Sequence, residues 1–171
     1  MRQRGAVVGS GIFFVLAPGV VAGIVPWLVT GWEVARPVTW YRVVLAAGGL
    51  LLITAGLAVL IHAFARFVRE GRGTPAPVAP TAELVVGGLY RYVRNPMYVA
   101  VVAIIGGQAL VFGRPLLLAY AAAVWTAMAA FVRWYEEPIL ARTFGTGYDA
   151  YRAAVPAWWP RRRRTANDGD A

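Results

Sequence analysis

What most limits the folds open to this chain is where its charges are missing. No Arg, Lys, Asp or Glu occurs from Gly5 to Trp32, from Val43 to Ala65, from Asn95 to Gly113 or from Pro115 to Val132. Each run approaches or exceeds the ~20 apolar residues that cross a hydrocarbon core about 30 Å thick. With 59% of 171 residues hydrophobic and 15% charged, and a mean hydropathy of +0.57, the chain is too apolar for a water-soluble domain of its size. The expected fold class is all-α integral membrane, with about four transmembrane helices.

The runs set the expected boundaries. The first span covers about 5–30 and carries Pro18 and Pro26, each of which removes a backbone donor and should kink the helix. The basic start at Arg2 and Arg4 resembles a secretory signal, but the apolar stretch far exceeds a signal core and shows no small-residue cleavage site before Glu33. It reads as an uncleaved span. The second runs over about 41–64 and ends in Arg66, Arg69 and Arg72, followed by a Gly-, Pro- and Ala-rich loop over 71–80. Pro96 suits the first turn of a third span, 96–112, and Gly113-Arg-Pro115 breaks the chain before a fourth, 115–135. The last two form a C-terminal helical hairpin whose runs are short for a full crossing, so tilting or local thinning is expected. Pro138 should end the fourth helix, and 138–152 mixes apolar and charged residues as an interfacial helix does. Residues 1–160 thus form one membrane-embedded domain, and 161–171 a basic, then polar, disordered tail.

Every cationic side chain is arginine, and the net charge is +9. On a soluble face such a charge would point to nucleic acid. Between and beyond apolar runs it points instead to topology and to anionic lipid head groups, so no nucleic-acid partner is expected. With four spans and both termini on one side, fourteen arginines share that side and three (Arg36, Arg42 and Arg114) the other. The positive-inside rule places the loop before the third span and the C-terminal segment in the cytoplasm. Lacking a eukaryotic retention signal, the chain fits a bacterial inner membrane. It has no cysteine and one histidine, which excludes thiolate chemistry and leaves no basis for a metal site. Nothing in the sequence sets an oligomeric state.

Two polar constellations fall on the cytoplasmic side. One is Gly88-Leu-Tyr-Arg-Tyr-Val-Arg-Asn-Pro-Met-Tyr98, entering the third span; the other is Arg133-Trp-Tyr-Glu-Glu-Pro138, leaving the fourth. The hairpin should make them neighbours. Because Pro96 biases Asn95 away from helix, the first is best read as a turn ending in a helix start. Such a turn offers free backbone donors, an arginine fork for a carboxylate and aromatic faces for a purine. In the second, Glu136 and Glu137 are adjacent acids at membrane depth, where ionisable groups are paired or functional and a cationic ligand would offset their repulsion.

Each piece also has a plain structural reading. Arg133 could pair with Glu137 at helical spacing, Arg91 and Arg94 could anchor topology, and Tyr90, Tyr92, Tyr98, Trp134 and Tyr135 could form an interfacial belt. Their conjunction, with Gly88 and Pro96 fixing the backbone between them, favours a binding site. His62 reads as a neutral interfacial histidine, and Gln108 as an interhelical hydrogen-bond partner.

At these residues the sequence resembles the superfamily of integral membrane methyltransferases that act on isoprenylcysteine carboxylates and on phospholipids. Gly88-Leu-Tyr90 and Arg94-Asn-Pro-Met-Tyr98 resemble its glycine, tyrosine and Arg-His/Asn-Pro-x-Tyr element; Glu136-Glu137 resembles its paired glutamates. Phe144-Gly145, Tyr148, Tyr151 and Val155-Pro156 resemble its C-terminal tail. The likeness covers roughly Leu84 to Pro160, while the first two spans look generic. It implies an S-adenosylmethionine (AdoMet) cofactor held by Gly88, Tyr90, Arg94, Asn95, Pro96, Tyr98, Glu136 and Glu137, with Arg94 and Glu137 acting in the transfer step. It also implies a lipophilic acceptor entering from the bilayer. Asn95 stands where isoprenylcysteine methyltransferases carry histidine, and the tail looks like that branch whereas Asn-Pro-Met-Tyr and Tyr-Glu-Glu-Pro look like the phospholipid branch, so the acceptor stays open. Two rival classes remain: an NADPH-dependent membrane reductase of the steroid-reductase type, and a non-enzymatic membrane scaffold.

Overall fold

A computed structural model describes residues 16–37, 39–70 and 83–160. The start of the expected first span, most of the loop that follows Arg69 and the tail from Arg161 lie outside the described residues. The described chain forms helices α1 (Leu16–Thr30), α2 (Trp40–Glu70), α3 (Pro96–Phe112), α4 (Leu116–Phe144) and α5 (Thr146–Ala154). A single 3-10 turn, Gly88–Arg91, precedes α3. No strand occurs among the described residues.

Two of these helices are long and apolar enough to cross a membrane: α2, over the 27 residues Trp40–Arg66, and α4, over the 29 residues Leu116–Phe144. Helices α1 and α3 are apolar but shorter; at about 1.5 Å per residue α3 reaches only about 25 Å. Leu51, Leu57 and Ile61 of α2 and Leu116 and Leu118 of α4 point outward and are exposed. Water would penalise such a face and lipid does not. The all-α integral membrane class therefore holds.

Helix α3 is the hub. It packs along α2 so closely that a Cβ on Gly49 would sit 2.5 Å from the Gly107 carbonyl oxygen, and one on Gly107 would sit 2.7 Å from that of Gly49. Small residues at such a contact let two backbones approach where lipid offers no hydrophobic drive to pair helices. Leu60, Val101, Ile104, Ile105 and Ala121 fill the core between α2, α3 and α4. Gly113 and Pro115 turn the chain between α3 and α4, as the sequence requires.

Three boundaries differ from expectation. Helix α2 continues past Phe64 to Glu70, carrying Arg66 and Arg69 on its last turns. Pro138 does not end α4: a π turn over Val132–Glu136 precedes it, with the Glu137 N–H bonded to the Val132 carbonyl five residues back. The widened turn moves away the carbonyl that the proline ring would meet, so the helix passes through the proline instead of breaking. Helix α1 does the same, with a π turn over Val20–Ile24 placed two residues before Pro26. Finally, 138–152 is not one interfacial helix. Its first half completes α4, Gly145 interrupts it, and α5 folds back toward the start of α3.

Candidate active site

The hairpin joins the two constellations at the end of the bundle that carries most of the described arginines. Gly88 opens the 3-10 turn at a φ of +58°, and a Cβ there would lie 3.1 Å from both His62 Nε2 and Arg66 Nε. Only glycine accepts that conformation beneath two side chains, so Gly88 serves through its backbone. The turn buries Tyr90, whose carbonyl accepts a bond from the Tyr151 hydroxyl at 2.7 Å. Asn95, at φ −120° and ψ 53° and so outside the helical region ahead of Pro96, ends the turn.

Beyond α5 the segment Val155–Pro160 returns as a strap across this turn. The Arg94 N–H donates to the Pro156 carbonyl at 2.9 Å and the Asn95 N–H to that of Ala157 at 3.2 Å. The Asn95 side-chain amide donates to the same Ala157 carbonyl at 3.2 Å. Trp158 then packs on Trp125 of α4, ring centroids 4.6 Å apart.

The two glutamates are neighbours in the chain but turn to different partners. Glu136 Oε2 accepts the Tyr98 hydroxyl at 2.8 Å. Glu137 Oε1 accepts Arg94 Nη1 at 2.8 Å, and its Oε2 lies 3.5 Å from Arg152 Nη2. Arg94 Nη1 also donates to the Tyr148 hydroxyl at 3.1 Å. The Arg94 and Glu137 side chains are 11% and 8% exposed, against 45% for Arg152. Arg94 Nε is buried with no hydrogen-bond partner, a donor left over in a place where polar groups are normally satisfied. Burial, and then the Glu137 carboxylate, push the Tyr148 phenol above its ordinary range against the opposing pull of Arg94. Burial does the same to Tyr151, again opposed by Arg94. Both hydroxyls stay protonated and able to donate.

Two clefts meet at this cluster. The polar one, about 530 Å³, is lined by Val85, Glu137, Leu140, Tyr148 and Tyr151 among others. The apolar one, about 710 Å³, lies between α1, α2, α3 and α4 and is lined by Pro18, Val21, Leu60, Met97, Val101 and Met128 among others. Tyr90, Arg94, Asn95 and Glu136 border both.

Of the residues expected from sequence, Tyr90, Arg94, Asn95 and Glu136 stand at the junction, Glu137 faces the polar cleft, and Pro96 and Tyr98 face the apolar one. Gly88 is among the lining residues of neither. The suggested pairing of Arg133 with Glu137 does not form; Arg133 is exposed, and the π turn between them spoils the four-residue spacing. Tyr92, Trp134 and Tyr135 are exposed as an interfacial belt would be, but Tyr90 is buried and Tyr98 is engaged by Glu136. Sequence reasoning did not assign Tyr148, Tyr151 and Arg152 to the site. Their signal was present: they recur at three and four residues along one side of an amphipathic helix in the tail that carried the resemblance.

An all-helical membrane bundle with a buried arginine–carboxylate cluster between a polar and an apolar cleft defines an integral membrane protein with a two-chambered internal site. The chain belongs to the phospholipid methyltransferase family, whose sequence pattern matches residues 43–147, and is thereby a membrane methyltransferase of the superfamily that also includes the isoprenylcysteine enzymes. The match opens near the start of α2, so the second span, generic by inspection, is part of the family pattern; Val155-Pro156 lies beyond it. No curated protein and no solved structure matches the chain.

Proposed function

We propose that the protein transfers a methyl group from AdoMet, bound in the polar cleft, to a lipophilic acceptor whose apolar body occupies the second cleft. The observation that carries this reading is the shared border: Tyr90, Arg94, Asn95 and Glu136 touch both spaces, so two bound molecules would meet at that wall. The residues suit the cofactor. The Arg94 guanidinium and the Tyr148 hydroxyl, both of residues lining the cleft, suit a carboxylate. Tyr90 and Tyr151 offer aromatic faces to the purine, and Glu136 and Glu137 supply negative charge for a sulfonium. Gly88, Asn95 and Pro96 fix the turn on which Tyr90 and Arg94 stand, and Tyr98 holds Glu136.

AdoMet supplies a methyl on a cationic sulfur, which the acceptor's oxygen, nitrogen or sulfur takes as the S–CH₃ bond breaks and a neutral thioether leaves. The chain's share is alignment. Fixing two reactants at one wall supplies much of the rate without a covalent enzyme intermediate, and Arg94 and Glu137 place charge beside the transfer. By the arginine bias this end faces the cytoplasm of a bacterial cell, with anionic lipid around it.

The test is saturation binding of labelled AdoMet against NADPH in detergent, followed by incubation with methyl-labelled AdoMet and a total lipid extract. AdoMet binding and a labelled lipid are expected. Exclusive NADPH binding would sink the assignment in favour of a reductase, and binding of neither would leave a scaffold.

A further inference from the structure

Gln108 lies in the second half of α3, 7% exposed, and Tyr120 lies on α4. A polar side chain within a membrane bundle is costly unless its hydrogen bonds are met. Both meet them on α1: Gln108 Nε2 donates to the Ala22 carbonyl at 2.6 Å, and the Tyr120 hydroxyl donates to the Val21 carbonyl at 2.9 Å. The choice of carbonyls has a cause. Pro26 follows Ala22 by four residues and Val21 by five, the spacings from which an α or a π turn would draw its N–H, and proline has none. Two neighbouring helices thus supply donors to the two carbonyls that the one N–H missing at Pro26 leaves open around the π turn, as buried backbone in a membrane requires.

The segment so held is also a wall. Ala17, Pro18 and Val21 line the apolar cleft, and no residue of α1 lines the polar one. Tyr120 therefore holds the backbone of a lining residue, and Gln108 that of the next. Apolar packing alone gives little directional force between helices in lipid, so these two bonds set where the wall stands.

We propose that Gln108 and Tyr120 are positioning residues which latch the proline-interrupted turn of α1 and so fix the width of the chamber that receives the acceptor's hydrocarbon chain. This rests on reading the apolar cleft as the acceptor's. Released from the latch, α1 withdraws from Val101 and Met128, and the chamber loses its grip on a chain without any change at Glu137, Tyr148 or Arg152.

The test uses the full chain in nanodiscs, with Gln108→Met and Tyr120→Phe, which delete a donor at nearly constant volume. Three quantities are read: AdoMet-induced thermal stabilisation, the apparent KM for a total lipid extract, and photolabelling by phosphatidylethanolamine carrying a mid-chain diazirine, mapped by mass spectrometry. Each variant should raise the apparent KM about tenfold, the size of one lost donor to a buried carbonyl, and shift the label away from Ala17–Val21, while AdoMet stabilisation stays within about twofold. Adding Pro26→Ala to Gln108→Met returns one N–H to the Ala22 carbonyl from within α1 but no bond to α3, so it should recover thermal stability while KM and label position stay shifted. That double variant also covers a Gln108→Met protein too unstable to assay alone. Unchanged KM and labelling in both single variants overturns the latch, as does an equal loss of AdoMet affinity or a return of KM and label position in the double variant. If the wild type labels at α1 and the label moves in the variants, yet no lipid is ever methylated, the latch stands and the methyltransferase reading falls.

Discussion

Arg94 and Glu137 carry opposite charges where water scarcely reaches. Attraction between buried charges is offset by their lost hydration, so an ion pair there adds little net stability, whereas removing one partner strands the other. Arg94→Met or Glu137→Leu alone should therefore cost about 3 kcal/mol, and the double variant should recover most of that loss while showing no AdoMet-induced stabilisation. Thermal unfolding in detergent, with and without AdoMet, checks both halves; a double variant as unstable as the worse single would mean that the pair is there for the fold. The tyrosines beside it give a pH dependence. Tyr148 and Tyr151 are held above their ordinary value of about 10, so the unfolded chain gives up these protons first as pH rises. The folded state binds more protons in that window, and stability must fall with pH there. Their contribution is complete below about pH 10 and declines above it, toward the folded-state values. Melting temperatures measured from pH 8 to 11.5 should show this decline, and Tyr148→Phe should make it shallower; an identical slope in that variant would remove Tyr148 as its source.

At the scale of elements, the helices were legible because a lipid-crossing segment needs little beyond length and the absence of charge, and both can be counted along a sequence. The spans 96–112 and 115–135 are met by α3 and by the first part of α4, with Pro96 at the first turn as its chemistry demands. Pro138 was misread because the rule that proline ends a helix assumes an α turn before it. The chain supplies a π turn instead, and nothing local in Val132–Glu136 announces one. From this wide turn the two adjacent acids reach different partners, Glu136 the Tyr98 hydroxyl on α3 and Glu137 the Arg94 guanidinium in the turn before it. Pro138→Ala removes the need for the wide turn and lets α4 relax into a regular register. It should not lower the melting temperature, since alanine favours helix, but methyl transfer should fall at least tenfold, a change of about 1.4 kcal/mol in barrier, as the carboxylates rotate away from their partners. Unaltered activity would show that the π turn is tolerated there and not used. The Gly49–Gly107 contact carries an opposite expectation: Gly107→Ala must push backbone from backbone, costing about 2 kcal/mol and lowering melting temperature and activity together.

Across the whole molecule the site closes only when three distant stretches meet. The turn before α3 and the acids near the end of α4 were expected to touch because a tight break at Gly113-Arg-Pro115 forces an antiparallel hairpin. The third stretch was legible only in part: α5 reaches the site through Tyr148, Tyr151 and Arg152, whereas the strap reaches the turn through main-chain carbonyls, which every residue possesses and no side-chain pattern announces. Pro156 and Ala157 accept three bonds from Arg94 and Asn95, and Trp158 and Trp159 pack on Trp125 within the apolar part of α4. The strap thus ties the Gly88–Asn95 turn to the span behind it, and Asn95, outwardly a candidate ligand, spends its amide on that tie. Ending the chain after Ala154 deletes both acceptors and with them all three bonds, a loss of about 3 kcal/mol at roughly 1 kcal/mol per bond, and falls on the turn alone, because α2, α3 and α4 pack without the strap. Helicity by circular dichroism should persist in detergent, AdoMet-induced stabilisation should vanish, and Trp125 emission should shift as its aromatic neighbours leave. A chain ending after Pro160 keeps the strap and should bind AdoMet as the whole protein does, which separates the tie from any effect of the basic tail. If the chain ending after Ala154 still binds AdoMet, Arg94 and Asn95 hold their geometry by proline and glycine alone, and the strap is only a cover.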